Sequence, residues 1–160
     1  MTPNELRSLV AFLVEAKRRT YAGLDDDATI AAPLLPGSKQ LEYAAAPYAY
    51  RDIYFGMRFF VGQETVSKDG KIIWSMCYSG GASVDTADQS DIPSIYKFLR
   101  RALLAASSEA PYRGPVSFVD GEWRYANRVE GALAAFHGVE DITRRGKTLF
   151  ELRYSGGLLR

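Results

Sequence analysis

Residues 60–81, FVGQETVSKDGKIIWSMCYSGG, return as residues 136–157, FHGVEDITRRGKTLFELRYSGG, without a gap and at a constant offset of 76. Phe60 falls on Phe136, Gly62 on Gly138, Glu64 on Glu140, Gly70 on Gly146, Tyr78 on Tyr154 and Gly80 on Gly156, while Trp74 and Met76 keep bulk as Phe150 and Leu152. Upstream the offset becomes 75, placing Tyr50 on Tyr125, Asp52 on Asn127 and Gly56 on Gly131. Such an echo reads as two related halves, 1–83 and 84–160, and 160 residues suffice for one core that both share. The expected architecture is α+β: an internal duplication of a helix plus antiparallel strands, with two helices packed on antiparallel sheet about a pseudo-twofold axis.

Each copy reads as a hairpin with glycine at its turn. A slip of one residue would send every side chain to the wrong face, so parity limits the register. A three-residue loop over Lys68, Asp69 and Gly70 sets Val66 against Ile72, Glu64 against Trp74, Gly62 against Met76 and Phe60 against Tyr78. The second copy then sets Glu140 against Phe150 and Gly138 against Leu152. In both, an apolar face carries a carboxylate, which must take a proton, find a partner or stay partly wet. Gly62 and Gly138 leave space beside it, as strand glycines do where a backbone or ligand approaches. A sheet-margin position, an ion pair with Arg or Lys from a neighbouring element, and an inward functional carboxylate all satisfy these constraints.

Thr2, Pro3 and Glu5 form an N-cap, first-turn proline and capping-box acid, and Leu6, Leu9, Val10, Leu13 and Ala16 follow at helical spacing. Lys17, Arg18 and Arg19 complement the helix C-terminus and read as a solvated end. Periodicity then lapses over residues 21–40, a long connection of the kind that forms lids and binding loops. Its Asp25, Asp26 and Asp27 lack the alternating spacing of a calcium loop. Residues 41–43 and 48–55 read as aromatic-rich strands divided by Pro47, and residues 91–107 as a second helix with Pro93 in its first turn and Ile95, Phe98, Leu99, Ala102 and Leu103 packing.

Charge and cysteine content narrow the function classes. Twenty basic and nineteen acidic residues, without a basic stripe, argue against a direct nucleic-acid partner. The lone Cys77, on the face opposite Trp74, makes no internal disulfide and no cysteine zinc site, and no metal or other cofactor is expected. The opening MTPNELRS lacks signal-peptide features and no apolar run has the length of a membrane span, so no membrane partner and a cytoplasmic location are expected.

The segments FLVEAKRRTYAG, GSKQLEY, YRDIYFG, FVGQE and the closing YSGG together resemble a bacterial domain family of unknown function, found both as stand-alone proteins and after helix-turn-helix DNA-binding domains. The resemblance spans nearly the whole chain and implies an effector-sensing or interaction module. The layout is also similar to the effector-binding domains of multidrug-responsive regulators, in which a glutamate inside an aromatic cleft meets cationic drugs.

Together these features favour a small-molecule-binding or sensory module over an enzyme. The expected ligand site is a cleft between the halves with Glu64 and Glu140 at its polar centre and Tyr50, Trp74, Tyr78, Tyr125 and Tyr154 as walls, suited to a flat or cationic small organic ligand. Alternatives are a homodimerisation or protein-interaction domain, and an acid/base enzyme using Glu64 and Glu140; no nucleophile motif accompanies them, and His137 has the parity opposite Glu140.

Overall fold

Thr2 and Glu5 start the first helix by reciprocal bonding: the Thr2 hydroxyl accepts from the Glu5 amide at 3.2 Å and the Glu5 carboxylate accepts from the Thr2 amide at 2.8 Å. In the computed structural model, which describes residues 1–23 and 32–159, this helix, α1, runs Pro3–Arg19. Asp25, Asp26 and Asp27 lie outside the described residues. The second helix, α2, spans Ile92–Leu104, shorter at both ends than its sequence pattern, with Pro93 in its first turn. Asp88 and Asp91 cap the single helical turn that leads into it.

Eight strands follow the alternation of the sequence: β1 Lys39–Ala45, β2 Tyr48–Gly56, β3 Phe59–Lys68, β4 Lys71–Ala82, β5 Ser117–Asp120, β6 Trp123–Ala132, β7 Ala135–Arg144 and β8 Lys147–Leu158. They form one antiparallel sheet in the order β1-β2-β3-β4-β8-β7-β6-β5, each strand of one four-stranded run opposite a counterpart in the other. The expectation of an α+β fold divided evenly into helix-and-strand halves is therefore corrected. Strand makes up 50% and helix 22% of the structure, so the fold is sheet-dominated and the helices are cover for a single sheet. The reason is the β4–β8 pairing, Trp74 opposite Leu158 through Ala82 opposite Phe150, which fuses the two strand runs into one sheet.

The hairpin turns also differ from expectation. Asp69 and Gly70 form a two-residue turn with φ of 50° and 79°, the pattern of a type I′ turn, and Lys68 pairs with Lys71. A bulge then leaves Ile73 without an opposite residue, so Val66 meets Trp74. The extra residue restores the parity that a two-residue turn alone would have broken. Faces are as read from the sequence, whereas partners move by two: Glu64 opposes Met76 and Gly62 opposes Tyr78. Arg145 and Gly146 repeat the turn, Leu149 repeats the bulge, and Glu140 opposes Leu152.

Both helices pack on the same face. Leu9, Phe12, Leu13 and Ala16 of α1 join Ile95, Phe98, Leu99 and Ala102 of α2 in one buried cluster with Trp74, Met76, Phe150 and Leu152. Phe12 packs on Tyr43 and Tyr48 of β1 and β2, and Phe98 on Phe118 and Trp123 of β5 and β6, so each helix is anchored over one flank. Cys77 and His137 lie exposed on the other face, His137 within 3.4 Å of Glu130.

The space beside Gly62 and Gly138 is filled by tyrosine. A Cβ on Gly62 would stand 2.3 Å from the Tyr78 hydroxyl, and one on Gly138 2.4 Å from the Tyr154 ring, so the cross-strand rings lie flat over the glycines. Gly62→Ala and Gly138→Ala are each expected to lower stability by about 1–3 kcal/mol through overpacking, read as urea midpoints. A loss equal to that of an alanine at an open strand position would show that the rings can move aside.

Candidate functional site

Alternation along β2 and β3 sends Tyr50, Asp52, Tyr54 and Glu64 toward the helices, and all four are buried. The same alternation along β6 and β7 turns Tyr125, Asn127 and Glu140 inward. Asp52 lies opposite Glu64 on β3 as Asn127 lies opposite Glu140 on β7. Two cations enter from outside the sheet: Lys17 from the last turn of α1 and Arg113 from the connection between α2 and β5.

Lys17 donates to Glu64 in a buried ion pair. The reading of Lys17 as part of a solvated helix end is thus corrected: a helix turns about 100° per residue, so Lys17 falls under Leu13 on the packed side while Arg18 and Arg19 face out. Arg113 donates to Glu140 Oε1 through Nε at 3.1 Å and Nη2 at 2.6 Å, and its Nη1 approaches Glu64 at 4.0 Å. One guanidinium thereby links the two glutamates. Burial by itself opposes the Arg113 charge, but Glu140, with Glu64 and Tyr125 adding to it, outweighs that cost and raises its pKa well above the usual value. For Lys17 burial prevails and pulls the ammonium pKa below its ordinary value despite Glu64.

The tyrosines complete the network. Tyr125 donates to Glu140 at 2.6 Å and accepts from the Gly114 amide at 3.0 Å, and burial, with Glu140 adding to it, keeps its phenol protonated. Tyr154 donates to Asn127 at 2.7 Å, and Asn127 donates in turn to the Gly114 carbonyl at 3.0 Å. Tyr78 donates to Asp52 at 2.6 Å, with the Arg113 guanidinium 5.5 Å from its ring centre. Tyr50 lies beside Glu64, its phenol pKa raised by burial and by that carboxylate. Trp74 stacks on Phe136 in the core, and its indole N–H has no hydrogen-bond partner among the described residues.

A cleft of about 180 Å³ opens onto one end of this network. Tyr21, Tyr54, Phe60, Tyr78 and Tyr96 give it aromatic walls, and Asp52, Arg113 and Lys39 bring charge to it. Phe60 stands 5.9 Å from Tyr78 and 6.0 Å from Tyr96 by ring centres, and Tyr96 is fixed by donating to the backbone carbonyls of Met57 and Arg58. Behind it, a chamber of about 20 Å³ touches Lys17, Tyr50 and Glu64 and shares Tyr21, Asp52 and Arg113 with the cleft.

Of the seven residues singled out in the sequence, Tyr78 lines the cleft and Tyr50 and Glu64 line the chamber. Tyr125, Tyr154 and Glu140 lie in the hydrogen-bonded interior, and Trp74 in the core. Asp52, Arg113, Tyr21, Tyr54 and Tyr96 were not among them. For Asp52 a signal existed: it alternates with Tyr50 and Tyr54 on an inward face and has a polar counterpart at Asn127.

Burial, and next the charge of Glu64, raise the Asp52 carboxyl from 3.8 to about 7. An acid with a raised folded-state pKa destabilises the fold once ionised: the penalty is absent below pH 3.8 and grows until the pH passes about 7. Asp52→Asn is therefore expected to be more stable than wild type, with a gap widening from pH 5 to pH 8 by on the order of 2 kcal/mol in urea titrations. A gap independent of pH would show that Asp52 titrates normally.

No curated protein and no solved structure matches the chain. Among the described residues no helix is long and apolar enough to cross a membrane. The family described as Domain of unknown function (DUF5680) matches residues 52–159, from Asp52 to the end of the sheet, and the chain belongs to that family.

Proposed function

We propose that this chain is a small-molecule-binding or sensory module whose ligand occupies the cleft of Tyr21, Tyr54, Phe60, Tyr78 and Tyr96. The observation that carries this reading is the combination of aromatic walls with a buried carboxyl, Asp52, brought to the same concave space. Aromatic side chains offer broad apolar contact at a small entropic cost, which suits a flat ligand. Polar groups that converge on such a space fix orientation, and Asp52 and Arg113 are available for that role. Glu140 has both oxygens engaged, by Arg113 and Tyr125, and acts at one remove by holding Arg113 in place.

The test is a small-aromatic library screened by two-dimensional NMR on the purified chain, with a variant that enlarges a side chain lining the cleft, Ile92→Trp. Hits are expected to shift the signals of Tyr54, Phe60, Tyr78 and Tyr96 and to bind the variant at least about tenfold more weakly, the loss expected when contact area is blocked. Hits confined to other surfaces, or unaffected by Ile92→Trp, would refute the reading.

A further inference from the structure

We infer that the ligand of this cleft is a small organic monocation, and that Asp52 is its counter-charge. The inference rests on the binding reading above and specifies its chemistry. Within the interior, Lys17 pairs with Glu64 and Arg113 with Glu140, two positive charges against two negative. Asp52 is a third carboxyl in the same buried space, and its hydrogen-bond donor is the neutral Tyr78 phenol. Ionised, it leaves the cluster one positive charge short, and desolvated charges favour a partner strongly.

The other half of the sheet shows that the carboxylate is not needed for the hydrogen bond. Asn127, opposite Glu140 as Asp52 is opposite Glu64, accepts from Tyr154 at 2.7 Å, against 2.6 Å for Asp52 and Tyr78. The same job is done there without charge, and Tyr112 packs on the neighbouring Phe136 with ring centres 4.3 Å apart. The charge at residue 52 is thus surplus to the packing and stands where the cleft opens. Tyr21, Tyr54, Tyr78 and Tyr96 around it present ring faces and edges that suit a delocalised cation. An anionic ligand would meet Asp52 as well as Arg113, and Arg113 is already committed to Glu140. Lys39 at the rim is half-buried and has an interaction of its own.

Three bicyclic probes of similar shape separate charge from fit: N-methylquinolinium, neutral quinoxaline and 1-naphthoate, titrated by calorimetry into the full chain at pH 8. N-methylquinolinium is expected to bind at least about tenfold more tightly than quinoxaline, with 1-naphthoate weakest, the scale of a desolvated charge contact. In Asp52→Asn the preference should shrink to within about threefold, while Tyr78→Phe, which keeps the carboxylate, should retain it. Equal binding of cation and neutral probe, tighter binding of naphthoate, or a preference that survives in Asp52→Asn would overturn the inference and leave the cleft as a neutral aromatic site. Silence from all three overturns it as well, and the wild-type ranking alone decides should a variant fail to fold.

Discussion

A guanidinium removed from water must be surrounded by anions, and most of the interior follows from meeting that need at Arg113. Glu140 takes two of its N–H groups and Glu64 stands at 4.0 Å, so the cation ties β7 to β3 across the centre of the sheet. Lys17 then brings the end of α1 to Glu64, and Tyr125 orients Glu140 while accepting from the backbone beside Arg113. Removing one member of such a buried set costs about 3–5 kcal/mol, yet replacing the whole set by well-packed apolar side chains can be neutral. The network is best understood as fixing which loop and which helix end meet which strand.

The two sides of the sheet solve one packing problem with different charges. A tyrosine lies over a glycine and donates to a polar residue on the next strand in both cases, to Asp52 from Tyr78 and to Asn127 from Tyr154. One side is neutral and bonded onward to the Gly114 carbonyl; the other is acidic and borders open space. A carboxyl that is costly to ionise, kept where an amide would serve the fold, is the kind of trade of stability for function that the proposed binding role would require.

Local patterns in the sequence carried a good part of this. The capping box of Thr2 and Glu5 needs only neighbouring residues, and strand parity places Glu64, Glu140, Cys77 and His137 on their faces whatever the partner strand. The turn was harder, because a two-residue turn and a bulge together leave the same parity as a longer loop. Lys17 was hidden in a run of three basic residues, although its spacing of four from Leu13 marks the packed side. Arg113 sits in the aperiodic PYRGP segment, where no spacing indicates direction. The β4–β8 seam joins residues that are 68 to 84 positions apart, Ala82 with Phe150 and Trp74 with Leu158 at its ends, and leaves no local trace, so the balance of sheet over helix could not be read from either half.

The position of β8 gives the chain an unusual vulnerability. Its residues, Lys147–Leu158, are the last strand in sequence but occupy the middle of the sheet, bonded to β4 on one side and β7 on the other. A growing polypeptide emerging from the ribosome would hold two separate strand ribbons with open inner edges until this segment is released, since long-range pairings form only when both partners exist. Deleting residues 147–158 would therefore leave β4 and β7 facing each other across a gap in the middle of the sheet, with no strand to join them.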